Sequence, residues 1–145
     1  MSMTPAAAAR AGGPRRLYLS QLLRVPVTDR GGEHIGRLSD LIARLRGADR
    51  PVLTGLVATV GGRSVFVPIE QVSALGDREL RLTSARLDLR KFERREGEVL
   101  LRADVLGHRL LDVRNVQLIK AVDLELAQQD GEWVVTGVAS RRRAH

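Results

Sequence analysis

The sequence predicts an all-β fold built from two small barrels in tandem, the second shorter than the first. Three observations carry this prediction. Val52–Val60 and Arg63–Ile69 are apolar runs rich in β-branched residues, separated only by Gly61-Gly62, and glycine supplies the positive φ that two-residue hairpin turns require. Ser20–Leu41 can be laid on Ala103–Leu124 without a gap, which aligns Leu23 with Leu106, Asp29 with Asp112, Asp40 with Asp123 and Leu41 with Leu124. With one residue of slack, Thr54-Gly55-Leu56 falls on Thr136-Gly137-Val138, the mark of an internal repeat. In the second copy, Val122, Leu124 and Leu126 alternate with Asp123 and Glu125, the period of two that belongs to a strand.

The elements follow in order. Residues 1–16, rich in Ala, Gly and Pro, read as a disordered tail with little to bury. Ser20 is the expected N-cap of one helical turn, Gln21–Arg24, because its hydroxyl can accept from a free backbone N–H. Pro26 ends that turn, Val25–Thr28 is a short strand, and Asp29-Arg30-Gly31-Gly32 is a turn. Ile35–Leu45 has helical spacing locally, through Leu38, Leu41, Ile42 and Leu45. Its alignment with the alternating stretch of the second copy makes it a strand.

With Gly61-Gly62 at the turn, Val60 faces Arg63, Ala58 faces Val65 and Leu56 faces Val67 on one side of the hairpin. Val57 and Phe66 pair on the other. Apolar groups on both faces suit a strand pair inside a barrel. Pro68 should end the second strand, because it has no N–H to donate, and Pro68–Ala74 reads as one helical turn. Leu80–Leu82, within Glu79–Thr83, alternates as a short strand, and Leu87–Phe92 is a further extended stretch.

The charged segment 90–98 links a first barrel, 17–89, to a second, partial repeat, 99–140. There Val99–Leu106 runs extended and then turns, Leu110–Val113 is a strand, and Val116–Leu126 pairs with Trp133–Ala139 around Gln129-Asp130-Gly131. This half has no counterpart of Val65–Ile69 or Leu80–Leu82. Either it borrows a strand from the first half or from a partner, or the natural chain continues past His145; an open barrel would leave an unpaired edge, which is a template for pairing. The same edge offers a route to homo-oligomers.

Composition narrows the function. Aromatics are few (Tyr18, Phe66, Phe92 and Trp133), so Val, Leu and Ile must build the core, and Trp133 is expected within it. The absence of cysteine excludes disulfides, thiolate metal sites and cysteine nucleophiles, and fits a cytoplasmic setting. No apolar run approaches the roughly 20 residues of a spanning helix. The net charge of +7 lies in the tails: without Arg10, Arg15, Arg16, Arg141, Arg142 and Arg143, the body carries only +1. Nucleic-acid affinity comes from clustered Lys and Arg, so such binding would run through the basic tails, the C-terminal one being 141–145.

The stretch Val27-Thr28-Asp29-Arg30-Gly31-Gly32-Glu33-His34-Ile35-Gly36-Arg37-Leu38-Ser39-Asp40-Leu41, followed by Leu53-Thr54-Gly55-Leu56-Val57 and by Phe66-Val67-Pro68-Ile69-Glu70-Gln71-Val72, resembles the PRC-barrel family. The likeness covers Leu17 to about Leu82. The second copy matches loosely and has Arg114, Asn115 and Ile119 where the first has glycines. Two copies joined through Asp88–Phe92 and Gly97–Leu100 resemble the N-terminal region of actinobacterial MgtE-like magnesium-transporter proteins. The resemblance implies tandem SH3-like barrels that act as a non-enzymatic interaction or regulatory module. The implied partner is a protein, with peripheral membrane association through a membrane-protein partner. The alternative is a ribosome or RNA adaptor similar to the RimM barrel domain.

No residue pattern points to catalysis, and no cofactor is expected. His34, His108 and His145 have no ligand-like spacing. Asp40 and Asp123 are equivalent under the repeat and read as strand positions satisfied by nearby backbone or arginine, in preference to a carboxylate pair. A magnesium site needs several convergent carboxylates, and the body has no acidic cluster. Gly31–Gly36 precedes a strand, whereas phosphate loops need a helix N-terminus behind them. The exposed residues beside the hairpin, Arg63, Glu70 and Gln71, are the expected partner contacts.

Overall fold

The computed structural model describes residues 16–45, 50–84 and 90–142. Residues 1–15 of the expected N-terminal tail, the last three residues of the basic C-terminal tail, and the start of the extended stretch at Leu87 lie outside them, while Arg16, expected in the tail, opens a strand. The described chain is all-β and barrel-like. In order it forms β1 (Arg16–Tyr18), α1 (Leu19–Leu22), β2 (Pro26–Thr28), β3 (His34–Arg44), β4 (Val52–Val60) and β5 (Arg63–Pro68). A 3₁₀ turn (Ile69–Gln71) leads to β6 (Val72–Leu75) and β7 (Leu80–Leu82), followed by β8 (Arg90–Lys91) and β9 (Glu98–Leu100). A π-helical turn (Leu101–Val105) precedes β10 (Arg109–Asp112), β11 (Gln117–Gln129) and β12 (Glu132–Arg142). Among the described residues these strands form one connected sheet.

The central hairpin has the expected register, with Val60 opposite Arg63, Ala58 opposite Val65, Leu56 opposite Val67 and Val57 opposite Phe66. Gly61 and Gly62 turn it at φ of +57° and +78°, which L side chains adopt only at a cost. Asp130 and Gly131 turn the second hairpin in the same way, at +52° and +80°. The two faces of the first hairpin enter different clusters. Leu56, Ala58, Val65 and Val67 join the main core with Leu19, Leu22, Val27, Leu38, Leu41, Leu80, Leu82, Leu124, Leu126 and Trp133. Val57 and Phe66 pack with Ile42 beneath Phe92 and Leu100, and the Arg95 guanidinium lies 5.2 Å from the Phe66 ring centre, within cation–π range.

The internal repeat holds pair for pair along β3–β4 and β11–β12, while the shift between Val27 and Thr28 in β2–β3 has no counterpart in β10–β11. Pro26↔Arg37 and Val27↔Gly36 return as Arg109↔Lys120 and Leu110↔Ile119. On the other side of the long strand, the β3–β4 pairs from Arg37↔Thr59 to Arg44↔Val52 return as Lys120↔Arg141 to Ala127↔Val134. Both irregularities recur: a shift between Leu38 and Asp40 matches one between Ala121 and Asp123, and a shift between Ile42 and Ala43 matches one between Glu125 and Leu126. Bulges are features that recur within a family of related structures, and here they recur within one chain.

The copies are interlocked. β1 opens the first copy but pairs with β11 of the second, Leu17 facing Leu126. β9 opens the second copy but pairs with β3 of the first, Val99 facing Ala43. Each short strand leads into a helical turn that packs on the other copy's long strand. Strands enter both the segment expected as a link and the start of the expected basic tail: β8 pairs with β5 and β9 with β3 within or beside 90–98, and β12 runs through Arg142.

Some local expectations are corrected. The first helical turn is Leu19–Leu22, two residues earlier than expected, and Ser20 lies inside it. Tyr18 holds the N-cap position, with its N–H donating to Gln21 Oε1 at 3.2 Å, because Leu19 and Leu22 must both reach the core. The turn after Pro68 stops at Gln71, and Val72–Leu75 extends to pair with β7. Val113 falls in the turn between β10 and β11, not in the strand.

Candidate functional site

Asp40 on β3 is buried, and its carboxylate receives three backbone N–H groups: Leu41 at 2.8 Å, Arg102 at 2.7 Å and Ala103 at 3.0 Å. Asp123, its repeat partner on β11, receives the N–H of Leu124 at 2.9 Å, the N–H of Ser20 at 3.0 Å and the Ser20 hydroxyl. Each aspartate thus satisfies the free donors at the start of the other copy's helical turn. The expectation of backbone-satisfied strand positions holds for both. The other aligned aspartates share a role as well: Asp29 accepts from Glu33 N and Asp112 from Arg114 and Asn115 N, each inside the turn after its short strand.

The expected contact residues are spread out. Arg63 is exposed at the start of β5 and Glu70 is exposed on the 3₁₀ turn. Six-residue β5 lies between them, a span of roughly 17 Å at about 3.3 Å per residue. Gln71 is half-buried, and its carbonyl accepts from Thr83 N at 2.8 Å. Glu70 lines a cleft of about 480 Å³ with Leu53, Ile69, Val72 and Trp133. There the 3₁₀ turn and β6 of the first copy approach the β11–β12 hairpin of the second. A second cleft, about 430 Å³, is lined by Arg24, Arg37 and Arg102. Two of those guanidinium groups donate to backbone, Arg37 to the Arg24 carbonyl and Arg102 to the Ser39 carbonyl, both at 2.9 Å.

Three carboxylates are held below their ordinary range. Glu125 is lowered chiefly by the Thr136 hydroxyl, which donates at 2.7 Å, and also by Arg16 and Tyr18. Asp112 is lowered by the Asn115 side-chain amide and backbone. Asp104 is lowered by the Leu100 N–H and by Arg94 at 2.7 Å. All three serve turns or strand edges. The exposed His34 and His108 rings lie 2.8 and 3.0 Å from the carbonyls of Gly36 and Ala103. Among the described residues, no three His, Asp or Glu side chains are grouped so as to hold a metal ion, and no helix is long and apolar enough to cross a membrane.

The largest asymmetry between the copies is on the sheet. β4 is covered by β5 from Gly55 to Val60. Among the described residues, the equivalent stretch of β12 pairs with β11 alone; β12 meets β4 at Val134↔Val52 and through the Val135 N–H to Pro51 O bond. The consequence is visible in exposure. Leu56 is fully buried, whereas its counterpart Val138 is 41% exposed. Val27 is fully buried, whereas its counterpart Leu110 is only half-buried. Leu111 and Leu118, cross-strand partners, are 60% and 54% exposed. These exposed apolar positions, which lie on both faces of the sheet, were legible only in part: the sequence lacked the covering strands, but the residues look like ordinary strand residues. No protein-family model matches the chain, and no curated protein sequence matches it.

Proposed function

We propose that the chain is a non-enzymatic interaction module of PRC-barrel type that docks a partner protein, within an MgtE-like magnesium homeostasis assembly at the cytoplasmic face of the membrane. The observation that carries this reading is the open apolar sheet of the second repeat, where Val138 stands exposed at the place of the buried Leu56. Fully burying an aliphatic side chain is worth about 1.5–3 kcal/mol, and a partner strand laid over Val138 would gain that burial. Size-exclusion chromatography and calorimetry with the purified intracellular domain of an MgtE-type transporter from the same source test the assignment. A complex in the micromolar range is expected. Failure to associate with or without magnesium removes the transporter part of the reading.

A ribosome or RNA adaptor is the second reading, and the cleft of Arg24, Arg37 and Arg102 is the observation that favours it. Phosphate binding by that cleft would give RNA affinity that falls steeply with salt and survives deletion of the terminal arginines. Affinity lost with the tails leaves only tail electrostatics.

A further inference from the structure

We propose that the edge of β12 over residues 136–142, uncovered among the described residues, is a strand-addition site for an extended segment of a partner protein bearing an acidic residue followed by an aliphatic, an aromatic and an aliphatic residue. The proposal rests on the interaction-module reading and specifies its ligand and register.

The template for this ligand lies in the same molecule. The copies match pair for pair through β3–β4 and β11–β12, so β5 on β4 marks the place of a strand on β12. In the first copy, Val65 faces Ala58, Phe66 faces Val57 and Val67 faces Leu56. The repeat puts Ser140, Ala139 and Val138 at those positions. An added antiparallel strand would therefore set aliphatic residues over Ser140 and Val138, on the apolar face, and an aromatic residue over Ala139. Main-chain hydrogen bonds supply affinity in such additions, and alternate side chains supply specificity.

Gly137 is an independent sign of the missing strand. Its counterpart Gly55 is crowded by the covering strand: a Cβ there would lie 2.5 Å from Phe66 Cε1 and 2.9 Å from Val67 O. At Gly137 the nearest atom is Glu125 Cβ at 3.9 Å, and Gly137 is not among the positive-φ glycines. Nothing within the described chain requires glycine there. An aromatic side chain arriving as Phe66 arrives on Gly55 does.

Charge selects the partner. Arg109, Lys120 and Arg141 are direct cross-strand neighbours on β10, β11 and β12. Like charges directly opposite are destabilising, and none of the three has a carboxylate partner among the described residues. The row ends at the open edge. The residue facing Arg141 on an added strand corresponds to Ser64, which faces Thr59 in the first copy, and a carboxylate there completes the row. A second copy of this chain would bring another row of cations to the same edge, so the occupant is a different protein.

The probe is a synthetic peptide spanning Gly61–Ile69 of this chain with Arg63→Asp and Ser64→Asp, titrated into the full-length protein and followed by backbone amide NMR. We expect saturable shifts centred on residues 136–142 and at least tenfold weaker binding of the peptide carrying lysine at both positions. Arg141→Glu should reverse that preference. Gly137→Val, whose Cβ would meet nothing closer than Glu125 Cβ at 3.9 Å in the free protein, should abolish binding while leaving the thermal midpoint near that of the parent. Absence of shifts at millimolar peptide, equal binding of the acidic and basic peptides, or shifts confined to other strands overturns the proposal. So does a dimer by analytical ultracentrifugation whose β12 amides are protected, because the occupant is then a second copy. Peptide binding at β12 without a transporter complex removes only the transporter assignment; a transporter complex that survives Gly137→Val and Arg141→Glu removes the edge proposal alone.

Discussion

Asp40 and Asp123, 83 positions apart in the chain, cap each other's repeat: Asp40 binds the turn that begins the second copy, and Asp123 binds the turn that begins the first. The exchange makes neither repeat self-sufficient. It also explains why an aspartate stands at this one strand position in both copies, beside the bulge that recurs there.

Asp40→Ala should lower unfolding stability by about 2–3 kcal/mol, because it strands partly buried N–H groups, each of which costs about 1–3 kcal/mol when left unsatisfied. Asp123→Ala should cost about 1 kcal/mol, since its partners around Ser20 are more exposed and water can replace the carboxylate. Urea denaturation of the two variants measures the difference. Equal losses would show that burial does not set the cost.

Interlocking predicts that the second repeat does not fold alone. Deletion of residues 1–22 removes β1 from β11 and takes buried Leu17, Leu19 and Leu22 from the core. At about 1.5–3 kcal/mol per buried side chain, the loss is comparable with the whole stability of a small domain, about 5–15 kcal/mol. Amide NMR of the truncated chain, and of a 98–142 fragment, should show unfolded dispersion.

Gly55→Ala and Gly137→Ala should separate sharply. A Cβ at Gly55 collides with Phe66 and Val67 on the covering strand, and such overpacking costs about 1–3 kcal/mol. At Gly137 the change should stay within about 0.5 kcal/mol. Thermal melts of the pair report directly on which copy is covered.

Val116 is a β-branched residue at φ +48°, 80% exposed in the turn before β11. Left-handed backbone costs such a residue roughly 1–2 kcal/mol, partly offset in a glycine variant by the entropy of the unfolded chain. Val116→Gly should therefore raise stability by about 0.5–1 kcal/mol, read as a shift in urea midpoint without a change in slope.

Acid should destabilise the fold through Glu125, Asp104 and Asp112. Each is lowered in the folded state, so its contribution is fully present above the ordinary values of 4.5 for glutamate and 3.8 for aspartate. It is lost as pH falls through the lower folded values. Thermal midpoints should be flat from neutral pH to about 5 and fall below that. Thr136→Val, which removes the main cause of the Glu125 shift, should make the acid slope shallower.

Local sequence determined the hairpins and the repeat. Gly61-Gly62 and Asp130-Gly131 fix two-residue turns because few residues tolerate positive φ, and strand period then sets the register; Val57 and Phe66 could be paired from sequence for that reason. The four aligned identities, Leu23/Leu106, Asp29/Asp112, Asp40/Asp123 and Leu41/Leu124, marked two equivalent copies because each residue does the same job twice. Only the tertiary structure decided how the copies share their parts. The pairing of β1 with β11 and of β9 with β3 depends on contacts between residues far apart in the chain, and no local period encodes them. Likewise, Val138 and Leu56 look alike as strand residues. Whether such a side chain is covered depends on which strand arrives beside it, so the open edge of β12 became visible only when the two copies could be compared in space.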